Sequence, residues 1–130
     1  MNPFAIKKTS RDVVTKHDVR GVSSSQATPF SSLSGGNQQK AIVGREISKI
    51  HDVLVLFQPT RGLDVGAIQH IHNLILAEKE QGSCILLISY ELDEILALAD
   101  RVAAMSSGEI KGIVEKNMIT RQRIGKLIAG

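Results

Sequence analysis

An α/β fold, with a parallel sheet flanked by helices, follows from three features of the sequence. Val53–Phe57 and Cys84–Ile88 are continuous apolar runs of strand length, each followed by a segment with apolar residues at helical spacing. A third strand pattern then gives the order strand, helix, strand, helix, strand. The 130 residues are 42% apolar, 22% charged and only 3% aromatic, so the core is built of Ile, Leu, Val and Ala.

Residues 1–20 are charged and weakly periodic, with Val13 and Val14 as the best apolar pair, and predict a short helix or part of one. Residues 21–34 predict a loop, because Ser23, Ser24, Ser25, Ser31, Ser32 and Ser34 compete for backbone hydrogen bonds and Pro29 removes a donor. Residues 38–50 place Ile42, Val43, Glu46 and Ile47 at helical spacing and predict a helix with one apolar stripe. Val53–Phe57 predicts a buried strand closed by Pro59. Residues 65–81 place Ile68, Ile71, Leu74 and Ile75 on one helical face, ended by Gly82. Cys84–Ile88 predicts a second buried strand with Cys84 as a small core residue. In 91–99, Leu92, Ile95, Leu96 and Ala99 align as a helix. Strands over 101–105 and 109–114 flank Ser106-Ser107-Gly108, a hairpin turn. Residues 119–129 predict a last helix, with Ile124, Leu127 and Ile128 inward and Arg121, Arg123 and Lys126 outward.

Sixteen Lys and Arg against thirteen Asp and Glu leave a net charge of +3, too small and too scattered to point to nucleic acid or an anionic membrane. No apolar run approaches the ~18 residues of a membrane span, and the first residues lack a signal-peptide profile, so an intracellular chain is expected. Cys84 stands alone, which excludes an internal disulfide and a CxxC site.

The stretch richest in chemistry is Leu33-Ser34-Gly35-Gly36-Asn37-Gln38-Gln39-Lys40. Two glycines at a helix start leave backbone N–H groups pointing outward, the helix dipole adds partial positive charge, and Ser34 adds a hydroxyl donor. Together they suit a phosphate. Ser34 also reads as a plain N-cap after a Ser-rich loop.

This stretch closely resembles the signature loop of ATP-binding cassette (ABC) ATPases in the form found in sugar and nucleoside importers. Residues 53–60, Val-Leu-Val-Leu-Phe-Gln-Pro-Thr, resemble a Walker B strand, and 61–67, Arg-Gly-Leu-Asp-Val-Gly-Ala, resemble the D-loop after it. Residues 87–95, Leu-Ile-Ser-Tyr-Glu-Leu-Asp-Glu-Ile, fall where the family has its switch-histidine loop, and 124–130 are similar to a closing sequence of such cassettes. The resemblance implies that Ser34, Gly35, Gly36, Asn37 and Gln38 act on the phosphates of ATP held by a second cassette, with Mg²⁺ supplied at that partner site. It implies that Asp64 touches the partner across a dimer interface; Asp64 also reads as the cap of the helix that follows. Membrane permease subunits, and indirectly a solute-binding protein, are the further implied partners. The implied location is peripheral, at the cytoplasmic face of the membrane, and no nucleic acid is involved.

Three departures fall on one site. Where the family has a metal-supporting aspartate and a water-polarising glutamate, this sequence has Phe57 and Gln58. A phenyl ring offers Mg²⁺ no oxygen, and an amide has no useful basicity. Tyr90 replaces the switch histidine, with a phenol that ordinarily titrates near ~10. The cassette's own hydrolytic half is therefore expected to be degenerate, with no intact catalytic residue and no metal site, as in importers of the nucleoside group. A G-x-x-x-x-G-K-[ST] loop is also absent. The expected architecture is a partial P-loop NTPase (ABC cassette) fold lacking the Walker A half. Residues 1–37 would form the end of a helical subdomain with the signature loop, and 38–130 the carboxyl-terminal part of the core. A strand missing between the Tyr90 and Arg101 strands would leave the isolated chain marginal. Two other classes compete: a non-enzymatic truncated fragment or regulatory interaction module, and an ABC ATPase of DNA repair, against which Phe57-Gln58 speaks.

His70 and His72 face different sides of a helix and do not predict a shared metal, and His51 beside Asp52 predicts a loop pair. Asp93 and Glu94 predict a solvated face.

Overall fold

The computed structural model describes residues 3–23 and 27–129, so Ser24 and Ser25 of the predicted loop lie outside the described residues. The chain forms two compact units, Met1–Leu86 and Leu87–Gly130.

The first unit begins with α1 (Pro3–Lys16). It ends where Asp18 takes the left-handed region at φ 48°, with the Val19 amide reaching back to the Val14 carbonyl at 3.0 Å. Such a turn is the common stop for a helix, and Asp is one of the few non-glycine residues that tolerates it. After the loop, α2 spans Gly35–Ile47. It starts three residues before the predicted position, because Ser34 caps it and both glycines join its first turn despite their low helix propensity. β1 (Val53–Phe57) follows, then α3 (Val65–Glu80), whose buried stripe is Ala67, Ile71, Ile75 and Glu78. At its end the Ser83 amide bonds the Glu78 carbonyl and the Gly82 amide the Lys79 carbonyl, with Gly82 at φ 93°. This paired closure needs a left-handed residue, which is why the helix stops at Gly82 as the sequence predicts. β2 (Cys84–Ile88) pairs with β1 in a two-stranded parallel sheet reached through the α3 crossover.

α2 packs on both α1 and α3, and the core lies among Val13, His17, Val43, Ile47, Ile71 and Ile75, with Leu54 and Leu56 of β1 also buried. The expectation that both strands are buried throughout does not hold. Val53, Val55 and Phe57 are exposed, as are Cys84, Leu86 and Ile88, so each strand hides at most one face. Cys84 is thus an exposed thiol and not a core residue. His51 and Asp52 lie in the loop before β1 as expected, with His51 Nδ1 at 2.7 Å from the Lys49 carbonyl and Nε2 at 3.3 Å from the Glu78 carboxylate.

In the second unit, α4 (Leu92–Leu98) precedes β3 (Arg101–Ser106) and β4 (Glu109–Glu115), and α5 (Arg121–Ala129) packs on the hairpin. Ser107 and Gly108 both have positive φ, 51° and 78°, the two-residue turn whose twist matches antiparallel strands. A register shift between Ala104 and Met105 bends the ladder. Glu94 is buried, which corrects the expected solvated Asp93–Glu94 face; only Asp93 is exposed, and it pairs with Arg121. Ile124 is buried as predicted, whereas Ile128, expected inward, is exposed. Among the described residues β2 and β3 belong to separate sheets, and no helix is long and apolar enough to cross a membrane.

Candidate functional site

Ser34 and Asp64 hold equivalent positions at the starts of neighbouring helices. Ser34 Oγ accepts from the Asn37 amide at 3.4 Å and Asp64 Oδ1 accepts from the Ala67 amide at 2.9 Å. Both cap readings therefore describe the molecule, and both leave the first two helical N–H groups without an intrahelical acceptor. The polypeptide before α3 is bent to bring Asp64 there. Gln58 sits at φ 49° and Gly62 at φ 73°, with turn bonds from the Arg61 amide to the Gln58 carbonyl and from the Leu63 amide to the Thr60 carbonyl.

The starts of α2 and α3 approach closely. A Cβ added to Gly36 would lie 3.1 Å from Ala67 Cβ and 3.7 Å from Asp64 Oδ2. Glycine at 36 is thus explained by helix packing. Gly35 is different: among the described residues an added Cβ there would meet nothing within 4 Å, so no contact among them requires its absence.

A cavity of about 390 Å³ opens at this junction, lined by Ser34, Gly36, Asn37, Asp64, Gly66 and Ala67 together with Asp18, Arg20, Lys40 and His70. Of the expected site residues, Ser34, Gly36, Asn37 and Asp64 meet here. Gln38 turns away, its Nε2 donating to the Leu33 carbonyl at 2.8 Å. Phe57 and Gln58 do not line this cavity; Phe57 is 64% exposed at the end of β1, and the buried Gln58 Nε2 has no hydrogen-bond partner among the described residues. Tyr90 lies in the second unit and is 79% exposed.

Asp18, Arg20 and His70 were not foreseen. Asp18 lies 3.0 Å from the Arg20 guanidinium and 3.5 Å from Lys40 Nζ, and its carbonyl accepts from Lys40 at 3.3 Å. The Arg20 hydrogen bond, with the nearby charges of Arg20 and Lys40, holds the Asp18 carboxyl below its ordinary range. The alternation Asp18-Val19-Arg20, with Val19 buried, is the signal that places both charges on one outer side. Arg20 and Lys40 line the cavity together with the carboxylates of Asp18 and Asp64, so its side-chain charges balance, and the groups suited to meet an anion are the Ser34 hydroxyl and the amides of two helix starts. Among the described residues no group of three or more His, Cys, Asp or Glu is placed to hold a metal ion.

Behind the cavity, His17 is fully buried, with Nε2 3.4 Å from Ser48 Oγ. Burial lowers its pKa, Lys16 and His70 add repulsion, and Glu78 opposes them. His70 is lowered in the same way by burial and Lys40, against Asp18 and a bond to the His17 backbone. Both rings are therefore neutral in the fold at pH values where the unfolded chain already binds protons. The unfolded state takes up more protons, so stability is fully present above about pH 6.5 and is lost as pH falls through the lowered folded values. Asp18 and Glu46 change stability with the same sign, but only nearer pH 4. Urea unfolding of the chain is expected to show a lower midpoint at pH 5.5 than at 7.5, a difference reduced in His17→Gln. An unchanged midpoint would refute it.

No protein-family model matches the chain. It is 47% identical over 125 residues to the nucleoside import ATP-binding protein NupA of Lactococcus lactis, covering 96% of this chain and 24% of that protein. It is 46% identical over 123 residues to the guanosine import ATP-binding protein NupO of Bacillus subtilis, covering 95% and 24%. With the ribose import ATP-binding protein RbsA of Lactococcus lactis it shares 48% over 99 residues, 76% of this chain and 20% of that one. The chain spans about a quarter of the length of these relatives. Its fold matches the dimeric structure of a bacterial ABC transporter cassette with TM-score 0.70 at 19% identity, over 89% of this chain and 49% of that one. It matches the ADP conformation of another ABC transporter cassette with TM-score 0.74 at 20% identity, over 100% and 52%.

Proposed function

We propose, for a chain that belongs to the ATP-binding proteins of ABC importers of sugars and nucleosides, that its segment 34–40 clamps the terminal phosphate of ATP held by a second cassette. The observation that carries this reading is Gly35. Among the described residues its missing Cβ answers to nothing, and it opens the first turn of α2 next to Ser34, which lines the cavity, so a phosphate could approach the backbone closely there. Asp64, fixed as the cap of α3 at the same cavity, would face the partner cassette. The Mg²⁺ that accompanies ATP would be held on the partner's side.

This chain's own hydrolytic positions contribute no chemistry in this reading. Phe57 presents no oxygen to a cation, Gln58 has no useful basicity, and Tyr90 offers a phenol in place of an imidazole. Residues 1–37 would belong to a helical subdomain and 38–130 to the core. ATP use at the composite site would drive uptake of a simple sugar or nucleoside through permease subunits fed by a solute-binding protein, with this chain peripheral at the cytoplasmic face of the membrane.

Ser34→Arg in the complete ATP-binding protein, assembled with its membrane subunits, tests the reading. The guanidinium would fill the phosphate position and remove the hydroxyl donor. Loss of one such donor costs about 10²–10³ in turnover, and ATPase linked to transport should fall at least that far. Unchanged turnover would overturn the assignment.

A further inference from the structure

We propose that Asn37 is a positioning residue that aims the Ser34 hydroxyl proton into the cavity, and that the backbone of Arg20 sets Asn37 for that task. The proposal rests on the phosphate-clamping reading of Ser34 and adds a residue and a mechanism to it.

The orientation of the Asn37 amide is decided by its neighbours. The Arg20 N–H lies 2.8 Å from Oδ1 and can only donate, so the oxygen must face Arg20 and the NH₂ must face the other way. That NH₂ donates to Ser34 Oγ at 2.9 Å, while the Asn37 backbone N–H approaches the same oxygen at 3.4 Å. Two donors on one side of Oγ occupy its acceptor directions. A hydroxyl has a single proton, and here it is turned away from Asn37, free to donate to an incoming oxygen anion. A serine acting only as an N-cap would need one of these donors; the second fixes the rotor.

Arg20 is itself held. Its guanidinium pairs with Asp18, and Lys40, one helical turn after Asn37, ties the Asp18 carboxylate and carbonyl to α2. The 18–20 turn and the start of α2 thus move as one piece, and the distance from Arg20 N to Asn37 stays set although the two are 17 residues apart in the chain. Preorganisation of this kind matters where a donor must meet charge developing in the reaction, since no reorientation is then needed.

Asparagine is the residue the arrangement demands. Asp at 37 would still accept from Arg20 and would suit the first turn of a helix. It has no proton for Ser34, so the Ser34 hydroxyl would turn inward and donate to the new carboxylate. Leu at 37 has nearly the same shape and neither donor nor acceptor.

The test uses the complete ATP-binding protein assembled with its membrane subunits, with Ser34→Ala, Asn37→Leu, Asn37→Asp and the Ser34→Ala/Asn37→Leu pair. Turnover, KM for ATP and ATP-dependent association of the cassettes by light scattering are measured for each. Asn37→Leu is expected to lower kcat about tenfold with little change in KM, and to cost less than about twofold when added to Ser34→Ala. Asn37→Asp is expected to keep the unfolding midpoint and lose turnover by at least the same factor. An Asn37→Leu cost that is undiminished in the Ser34→Ala background overturns the positioning role and leaves the clamp intact. Full turnover in Asn37→Asp does the same. A Ser34→Ala protein with unaltered turnover and association overturns the clamp reading, and the role of Asn37 falls with it.

Discussion

Ile71→Ala is expected to destabilise the first unit by about 2–5 kcal/mol, the range for truncating a large aliphatic side chain in a closed core. Ile71 is 0% exposed and sits at the centre of the α3 stripe, flanked by Ala67 and Ile75, where α3 packs on α2. Two helices that start from fixed caps at Ser34 and Asp64 cannot slide inward to refill the space. The cost should therefore fall near the upper half of the range. Against a typical stability of ~5–15 kcal/mol, that is enough to change the folded population visibly. Hydrogen exchange of the buried amides of α2 and α3 reports it without assuming that the two units unfold together. Ile68→Ala, at a half-buried position on the same helix, is the control and should cost well under half as much. Equal losses at the two positions would refute the placement of the core.

Much of this architecture is legible in the sequence, and the misses share a physical origin. Strand positions were given by continuous apolar runs, the hairpin by Ser106-Ser107-Gly108, and the end of α3 by Gly82. A continuous apolar run carries no alternation, however, and so cannot tell whether one face or two are covered. This is why Val53, Val55 and Cys84 were expected inside and are found outside. The start of α2 was missed because Gly35 and Gly36 have poor helix propensity, and a cap with tertiary packing against Ala67 outweighs that preference. Most of the cavity wall was legible, since Ser34, Gly36, Asn37, Lys40, Asp64, Gly66 and Ala67 belong to recognisable segments. Asp18, Arg20 and His70 come from elsewhere in the chain, and only the packing of α1 and α3 against α2 brings them there. The burial of Glu94 shows the same limit: its neighbour Asp93 is exposed, and charge alone does not distinguish the two.

Gly44→Ala is expected to destabilise the first unit even though alanine is the better helix former. Helix propensity alone would favour alanine by about 1 kcal/mol. The added Cβ, however, would stand 2.4 Å from His17 Cδ2 and 2.5 Å from Cγ, distances that real side chains do not adopt. His17 has no room to retreat, being fully buried at the end of α1 with its Nε2 toward Ser48. Overpacking of this kind costs about 1–3 kcal/mol, and a clash with a rigid ring belongs at the top of that range, so it outweighs the propensity gain. The expected net loss is about 1–2 kcal/mol. Because Arg20 follows His17 by only three residues, a backbone shift at His17 that relieves the clash would also carry the anchor of Asn37 away from α2. The signature of this mechanism is coupling: His17→Ala, costly alone, should remove most of the penalty of Gly44→Ala, giving a pair more stable than the sum of the single changes by about 1 kcal/mol or more. Strict additivity in that cycle, measured by exchange protection in α2, would mean that the ring is not what keeps position 44 a glycine.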